Sequence, residues 1–353
     1  MIERLSIQAL DLLKVLISTP SFSKEENKTA DIIASFLSNK ELKVNRHFNN
    51  IWVIHPDYQS DRPTLLLNSH HDTVKPSQAW TVDPFVPTEF EEKLIGLGSN
   101  DAGAPLVSLM ASFLYFCQFD VIPYNLIFSA TAEEENSGIN GIESILDKIG
   151  PVSLAIIGEP TNMELAIAEK GLMVLDCKII GRPGHAAREE GVNAIYKALK
   201  DIEWFKNYHF EKISDVLGPV KMSVTQIKAG YQHNMVPDVC DFVVDVRTNE
   251  HYMNQDALAI IKQHVKCEVR ERSLRLNSSF LPNSHPLVKI AKEMNIHCYG
   301  SPTTSDQSVI PYPSVKIGPG DSARSHTANE FIYPNELRQG IKLYITILKK
   351  ITF

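Results

Sequence analysis

The sequence predicts an α/β protein with a second, α+β domain inserted into it, and three observations lead to this fold class. Segments typical of strands and helices alternate through the first half of the chain, as in a mixed sheet covered by helices on both faces. From about residue 170 the order becomes β-α-β-β-α-β, which is typical of a ferredoxin-like unit. After about residue 279 the first pattern resumes, so we expect the middle part to be an insertion.

In the first part of the chain, apolar residues recur at helical spacing or form short runs that fit buried strands. The predicted helices are residues 7–17, 25–37, 104–119 and 138–148. The predicted strands are residues 44–54, 64–68, 125–130 and 154–157. Ser21 and Ser23, followed by residues 24–26, are typical of the start of the second helix.

The middle part supplies the strands 172–180, 220–228, 239–247 and 267–273, with helices at 192–205 and 255–265. The last part supplies helices at 286–294 and 335–350 and a strand at 314–317. We therefore predict a discontinuous larger domain of residues 1–169 and 279–353. The inserted domain would comprise residues 170–278.

Composition and charge indicate an ordinary globular protein. The 353 residues are 43% hydrophobic and 22% charged, which suffices for two domains with buried cores. The net charge is −7, and no run of lysine and arginine is present. Both facts argue against a nucleic-acid partner, which would require a basic surface.

The cysteines and the apolar segments favour a cytoplasmic protein without a membrane anchor. Five cysteines are present without a CxxC pair, and we expect buried free thiols in a reducing compartment. Residues 1–17 mix charged residues with apolar residues at helical spacing and do not resemble a signal peptide. The most apolar run, residues 104–119, is shorter than the ~18 residues of a membrane span.

Two histidines and an aspartate, His70, His71 and Asp72, follow the apolar strand predicted for residues 64–68. Because alternate side chains of an extended chain share a face, His70 and Asp72 would point together and His71 would point away. Taken alone, these residues would also fit a surface pair. A metal site gains support from other polar clusters that follow predicted strands.

Acidic residues stand near two further predicted elements. Asp101 precedes the apolar helix of residues 104–119, where the role of a helix N-cap is an alternative. Three adjacent glutamates, residues 133–135, follow the strand of residues 125–130. Three adjacent carboxylates repel one another, so they fit either a solvated turn or a bound cation.

Glu159 follows the strand of residues 154–157, and His326 follows the strand of residues 314–317. They complete a set of five candidate metal ligands at strand ends or in adjoining loops, where open α/β sheets bind their ligands. The five are His70, Asp101, Glu135, Glu159 and His326. Two imidazoles and three carboxylates suit two zinc ions that share one carboxylate. Asp72 would then hold His70 in the correct tautomer, and Glu134 would remain free as a catalytic base.

These stretches resemble the M20 metallopeptidases, in particular the group of acetylornithine deacetylase and succinyl-diaminopimelate desuccinylase. The resemblance rests on residues 69–74, 98–101, 131–135, 158–161, 184–187, 191–195, 234–238, 245–247 and 325–330. These motifs follow the family's order along almost the whole chain. Two positions depart from the pattern, since Arg188 stands where some relatives have proline and His71 where many have threonine.

The resemblance implies a two-zinc amidohydrolase, with cobalt as a possible substitute, and a lid domain that pairs into a homodimer. It places the five ligands at the metal positions, with Asp101 as the bridge. It places Asp72 and Glu134 at catalytic positions. His185 would act from the lid on the oxyanion as a third catalytic residue, and Arg247 and Asn234 would contact the substrate.

The function that the resemblance implies is hydrolysis of the amide bond of an N-acyl amino acid. Deacylation of N-acetylornithine, N-succinylornithine or N-acetylcitrulline in arginine biosynthesis is the first hypothesis. A succinyl-diaminopimelate desuccinylase of lysine biosynthesis and a di- or aminopeptidase are alternatives. A succinyl group would need a further cation, for which Arg182, Arg188 and Arg324 are candidates. A non-catalytic binding protein on the same fold is the alternative from another class.

Overall fold

A computed structural model describes residues 1–188 and 190–353 of the chain. Its helices are α1 (Ile2–Ile17), α2 (Asn27–Ser38), α3 (Ala104–Phe116), α4 (Glu143–Ile149), α5 (Ala194–Asn207), α6 (Asn254–His264), α7 (Pro286–Glu293) and α8 (Pro334–Lys350). Its strands are β1 (Val44–His47), β2 (Asn50–Ile54), β3 (Thr64–His70), β4 (Thr88–Phe90), β5 (Lys93–Ile95), β6 (Asn125–Thr131), β7 (Leu154–Ile157), β8 (Leu165–Glu169), β9 (Gly171–Ile180), β10 (Gly184–His185), β11 (Lys221–Ala229), β12 (Met235–Val236), β13 (Val239–Thr248), β14 (Glu268–Glu271), β15 (Ser279–Phe280), β16 (Cys298–Ser301), β17 (Ser314–Lys316) and β18 (Phe331–Ile332). In the described part of the chain, no helix is both long and apolar enough to cross a bilayer.

The described chain forms two compact units. Unit 1 comprises Met1–Ile167, Phe280–Tyr299 and Ser305–Phe353. Unit 2 comprises Ala168–Ser279 and Gly300–Thr304. The short second piece of unit 2 is absent from the sequence prediction. The catalytic and lid roles assigned to the two parts stay predictions.

Unit 1 is built around a mixed sheet with the strand order β1-β2-β6-β3-β7-β17-β8-β15, in which β16 also pairs with β8. Strands β6, β3, β7 and β17 run parallel to one another. Their carboxyl ends therefore lie at one edge of the sheet. This arrangement confirms the predicted fold class for the larger part of the chain.

The central strands of this sheet are buried on both faces because helices cover both sides. Every residue of β3 and β6 is buried. On one face, Leu66 and Ile127 belong to a core cluster with Ile145 of α4. On the other face, the ring of Phe128 lies 6.1 Å from that of Phe113 in α3. Strands covered on both sides consist of continuous apolar runs, which is the pattern seen in the sequence.

Unit 2 contains an antiparallel sheet of the order β11-β13-β9-β14. Its first and third strands in the chain, β9 and β13, are central, and α5 and α6 form the two connections. Leu175 and Cys177 of β9 pack in one core cluster with Ala198 of α5 and Ile261 of α6. This is the ferredoxin-like arrangement that the sequence predicts, and it is confirmed.

Several predicted elements differ from the structure in their bounds, and the backbone explains two of these differences. Residues 44–54 form a hairpin rather than one strand, because Phe48 takes a φ of 51° at the turn between β1 and β2. The helix predicted from residue 138 begins only at Glu143. The residues before it fold into turns, with positive φ at Glu133 and Ser137.

The predicted start of the second helix is wrong in its detail. Helix α2 begins at Asn27, and its N-cap, Glu26, makes no side-chain capping bond. Ser23 does not cap the helix, since its hydroxyl donates to the carboxylate of Asp72 at 2.7 Å.

Candidate metal centre

The five predicted ligands all belong to unit 1, and four of them stand at or after the carboxyl ends of the parallel strands. His70 is the last residue of β3, and the glutamates of residues 133–135 follow β6. Glu159 follows β7, and His326 lies in the loop after β17. Asp101 belongs to the short helical turn Ser99–Gly103 that leads into α3. The sheet topology thus brings together residues that are far apart in the sequence.

The five predicted ligands form two groups that share Asp101. One group contains His70, Asp101 and Glu159, and its ligand atoms lie within 4.8 Å of one another. The other contains Asp101, Glu135 and His326, within the same distance. The two carboxylate oxygens of Asp101 face different histidines: Oδ1 lies 3.3 Å from Nε2 of His70, and Oδ2 lies 3.6 Å from Nε2 of His326.

These residues fit two divalent metal ions. Nε2 of His70 is buried and has no hydrogen-bond partner among the described residues, although buried polar atoms are normally paired. The other ring nitrogen, Nδ1, lies 3.0 Å from the backbone oxygen of Asp72, which favours a proton on Nδ1. Nε2 is then left with its lone pair for a metal. One imidazole and two carboxylates in each group form a donor set that suits zinc.

The titration behaviour of the cluster also favours bound cations. Burial, together with the charge of Asp101, raises the pKa of Glu159 to about 8. Burial likewise raises the pKa of Glu134 well above its usual value, with a contribution from Glu159. The hydrogen bond from His326 to Glu135 raises the pKa of that imidazole to about 9. Burial and mutual repulsion raise the pKa values of carboxylates at close range, and a metal cation bound among them would lower these values again.

The carboxylate of Asp72 contacts more groups than the predicted partner, His70. Its carboxylate lies 3.4 Å from Nδ1 of His70, farther than its own backbone oxygen. The backbone N–H groups of Glu134 and Glu135 donate to its two oxygens at 3.1 Å each. The hydroxyl of Ser23 is a further donor. Asp72 therefore holds the acidic turn in place as well as the histidine.

The three adjacent glutamates take different directions, and none of them forms the solvated turn that the sequence left open. Glu133 is buried, and its Oε1 accepts a hydrogen bond from Asn140 at 3.1 Å. Glu134 directs Oε2 to within 3.9 Å of Nε2 of His70. Glu135 lies 2.9 Å from Nε2 of His326. Of these three glutamates, Glu134 is the one that approaches His70 without belonging to either ligand group.

His71 points away from the cluster, as strand alternation predicts. Its Nδ1 lies 2.9 Å from the hydroxyl of Thr29, and its Nε2 lies 2.9 Å from the backbone oxygen of Asn49. Burial lowers the pKa of His71 to about 4, so the ring is neutral. Its role is to link the loop after β3 to the N-terminal helix α2.

Sequence reasoning missed Glu330, which organises the loop of the shared ligand. This buried carboxylate accepts hydrogen bonds from the backbone N–H groups of Asn100 and Asp101 at 2.8 Å and of Gly98 at 3.1 Å. Glu330 closes the stretch of residues 325–330 that also contains His326. The signal that could have identified it is an acidic residue four positions after the candidate ligand His326.

A second missed residue, Asp306, lies in a short helical turn of unit 1. Its Oδ2 accepts from Asn68 at 2.9 Å and from Thr131 at 2.8 Å, so it ties β3 to β6. Burial raises the pKa of Asp306 to about 6. The surrounding sequence holds no apolar pattern or motif that would mark this residue.

The site residues predicted in the inserted domain lie in unit 2. His185 in β10 is exposed and pairs in register with Met235 of β12. Asn234 is also exposed, and its backbone oxygen accepts a hydrogen bond from the N–H of Ala186 at 3.0 Å. The two predicted residues are therefore neighbours on one short β-ribbon.

Arg247, the third of these residues, uses some of its N–H groups in contacts within unit 2. Its guanidinium donates from Nε and Nη2 to the two oxygens of Asp245, at 2.9 and 3.1 Å. Nη1 lies 3.3 Å from the hydroxyl of Thr304. The ion pair with Asp245 is the alternative to a substrate contact, and it leaves further N–H groups of the guanidinium available.

The three arginines considered as succinyl anchors differ in their surroundings. Arg324 donates from both Nη atoms to Glu336 and stacks on the rings of Phe331 and Tyr333, so it is occupied. Arg188 is exposed and lies 3.8 Å from Glu190. These contacts leave Arg182 and Arg188, both in unit 2, as the better candidates.

A family model and several known proteins match the chain over most of its length. The model of peptidase family M20/M25/M40 matches residues 66–350. A succinyl-diaminopimelate desuccinylase of Orientia tsutsugamushi (strain Ikeda) is 24% identical, over 96% of this chain and 95% of its own. An acetylornithine deacetylase of Buchnera aphidicola subsp. Schizaphis graminum is 23% identical, over 98% of both chains.

A solved structure with a similar fold is that of the Bacillus subtilis YXEP protein, described as a dinuclear metal binding peptidase from the M20 family. It superimposes with a TM-score of 0.70 at 16% identity, over 99% of this chain and 100% of its own. At this identity the likeness concerns the fold alone.

Proposed function

The chain belongs to peptidase family M20/M25/M40 and is an enzyme, and from this premise we propose that it hydrolyses the amide bond of an N-acyl amino acid. The observation that supports the proposal most is the pair of ligand groups that share Asp101, with Glu134 beside them. The reaction needs an activated water and a proton carrier. Residues of unit 1 are suited to both tasks.

Two metal ions would be held by the predicted ligand set, and we propose zinc, with cobalt as a working substitute. His70 and Glu159 would bind one ion, Glu135 and His326 the other, and Asp101 both. When bound, such ions lower the pKa of a coordinated water toward ~7 and polarise a carbonyl group.

Glu134 would carry the proton between the two halves of the reaction. Its carboxylate would accept the proton of the attacking water and then donate it to the amine that leaves. The backbone of Glu134 is fixed by its N–H bond to Asp72, so its side chain starts from a defined position. A carboxylate whose pKa is raised by burial, as here, is the stronger base when it is ionised.

Unit 2 would supply groups that bind the substrate and its oxyanion. We propose that His185 donates a hydrogen bond to the oxyanion, a contribution worth about 3 kcal/mol for one good donor. Arg247 would hold the α-carboxylate through N–H groups that Asp245 leaves available. Asn234, beside His185 on the ribbon, would hydrogen-bond the acyl amide. These roles rest on family resemblance.

The acyl group and the amino acid can be identified with a panel of substrates. N-acetylornithine is the first candidate, with N-succinylornithine and N-acetylcitrulline as close variants. Succinyl-diaminopimelate is the second candidate, because a relative of similar length bears the name of its desuccinylase. Dipeptides test the peptidase alternative. Hydrolysis of at least one N-acyl amino acid supports the proposal, and cleavage of dipeptides alone would replace it.

We also propose a homodimer that forms through unit 2. Large apolar side chains are exposed on α5 and on the edge strand β11 and its turn: Tyr196 (70%), Leu199 (53%), Ile227 (57%) and Tyr231 (77%). An edge strand beside an apolar helix face is a surface that natural proteins usually cover. Contact with a second copy would bury these side chains.

Analytical ultracentrifugation of a charged variant tests the dimer. Leu199→Glu should dissociate it, because a carboxylate would have to be buried in the contact. Met253→Glu, which changes a side chain of similar exposure at the start of α6, is the matched control. A monomeric parent protein would overturn the proposal.

A cytoplasmic location is the last part of the proposal. All five cysteines are free, including three that are buried in unit 2, as is usual in a reducing compartment. Fractionation of the cells that produce the protein tests this, and recovery outside the cytoplasm would contradict it.

A further inference from the structure

A short segment near the N-terminus, residues 21–29, lies outside the matched family model but contacts two loops of the candidate site. The segment connects α1 to α2 and includes the first residues of α2. The matched part of the chain starts only at residue 66. The sequence assigns these residues no more than a helix start.

Ser23 is the residue of this segment that approaches the chemistry most closely. Its hydroxyl donates to Oδ2 of Asp72 at 2.7 Å. Oδ2 also accepts from the N–H of Glu135, and Oδ1 accepts from the N–H of Glu134. Asp72 is completely buried, so its orientation depends on these few donors rather than on water.

Other contacts keep the segment in place against the loop that follows β3. The N–H of Thr73 donates to the backbone oxygen of Ser21 at 2.9 Å. Phe22 and Thr73 form a β-bridge in parallel orientation. The hydroxyl of Ser23 therefore starts from a backbone that is itself attached to the Asp72 loop.

Glu26 makes a second attachment, to the acidic turn itself. This fully buried carboxylate accepts from the N–H of Glu133 through Oε1 at 3.3 Å. Its Oε2 accepts from the side chain of Asn49 at 2.9 Å. The turn of residues 133–135 is thus attached to the N-terminal segment directly by Glu26 and indirectly through Ser23 and Asp72.

We propose that Ser23 is a positioning residue, which orients Asp72 so that Asp72 fixes the backbone of Glu134 for proton transfer. The inference rests on the proposed role of Glu134 as the base. A lost donor on a buried carboxylate lets that group rotate, and its other partners shift with it. The consequence falls on the proton-transfer step and leaves substrate affinity unchanged.

Ser23→Ala removes the hydroxyl with little change in volume. We expect kcat to fall about tenfold, with KM, the melting temperature and the metal content unchanged. Ser23→Thr keeps a hydroxyl and should recover most of the rate. Ser6→Ala is the matched control, because the buried hydroxyl of Ser6 donates to the backbone oxygen of Ile2 in its own helix, α1.

Hydrogen–deuterium exchange tests the same inference without a substrate. Amides of residues 133–135 should exchange faster in Ser23→Ala than in the parent protein or in Ser6→Ala. Unchanged exchange of these amides in Ser23→Ala would overturn the positioning role, whatever the metal content of the variant. An inactive parent protein would count against the proposed function only, since the exchange measurement decides the inference by itself.

Discussion

The predicted site residues in the two units are held in very different ways. In unit 1, His70, Asp101 and Glu135 are largely buried, and several contacts fix the loops on which they stand. In unit 2, His185 of β10 and Asn234, which precedes β12, are exposed. His326 is the exposed exception among the candidate ligands of unit 1. Buried side chains with fixed partners are preorganised for a metal ion, whereas exposed side chains are free to move toward a substrate.

This difference separates what geometry supports from what resemblance supports. The converging histidines and carboxylates of unit 1 would suggest a metal site in any protein. His185 and Arg247 of unit 2 would attract little attention without the family pattern, since one is an exposed histidine and the other pairs with Asp245. Mutations in the two units should accordingly affect different kinetic parameters.

The largest effect is expected in unit 1, at the proposed base. Glu134→Gln should lower kcat about 10³-fold, because proton transfer by a positioned group contributes 10²–10⁴-fold. Metal content, measured by mass spectrometry, should not change. The adjacent Glu133→Gln is the matched control, since Glu133 bonds to Asn140 away from His70. A Glu134→Gln variant as active as the parent would exclude this residue as the base.

The next effect is expected in unit 2. His185→Ala should lower kcat about 10²-fold through the loss of one oxyanion donor, with metal content intact. His209→Ala, which removes another exposed histidine of the same unit, serves as the control. If kcat of His185→Ala equals that of the parent, His185 does not stabilise the oxyanion.

A smaller effect is expected from Glu330, whose carboxylate accepts hydrogen bonds from three backbone N–H groups. Glu330→Gln should weaken metal binding 10–100-fold, because an amide cannot accept from all three N–H groups of the Asp101 loop, and Asp101 is the proposed ligand of both ions. Calorimetric titration with cobalt measures this. Asn329→Ala removes a neighbouring contact to Thr81 and should bind two ions normally. Normal binding by Glu330→Gln would show that the loop keeps its shape unaided.

The smallest effect on kcat is expected at Arg247. Arg247→Lys should raise KM about tenfold and leave kcat nearly unchanged, because a lysine cannot reproduce the planar fork. Arg272→Lys is a close control, since Arg272 makes a similar bidentate pair with Asp176 in the same sheet. Equal KM values for the two variants would assign Arg247 a structural role only.

The sequence points to the candidate ligands because strand ends are marked by local patterns, although their role as ligands stays a prediction. A buried strand is an apolar run, and the polar residue that follows it is visible in the same few positions, as at His70 and Glu159. Parallel pairing then brings these ends to one edge without further information. The helices and strands of both units could be predicted for the same reason.

The sequence does not predict contacts between distant loops. Nothing near Ser23 indicates that its hydroxyl bonds to Asp72 rather than to the start of α2. Glu330 and Asp306 act through bonds to residues more than 170 positions away, and no local pattern encodes such bonds. The hairpin of β1 and β2 was missed because Phe48 adopts a positive φ that side chains other than glycine seldom take.

The most direct test of a two-metal hydrolase in unit 1 is the activity of chelator-treated protein during stepwise addition of zinc. The substrate is whichever N-acyl amino acid of the panel the untreated protein cleaves fastest. Hydrolysis should be absent after chelation and should saturate near two equivalents, in line with the two ligand groups that share Asp101. Full activity in the metal-free protein would contradict the account. The absence of hydrolysis after two equivalents of zinc have been added would contradict it as well.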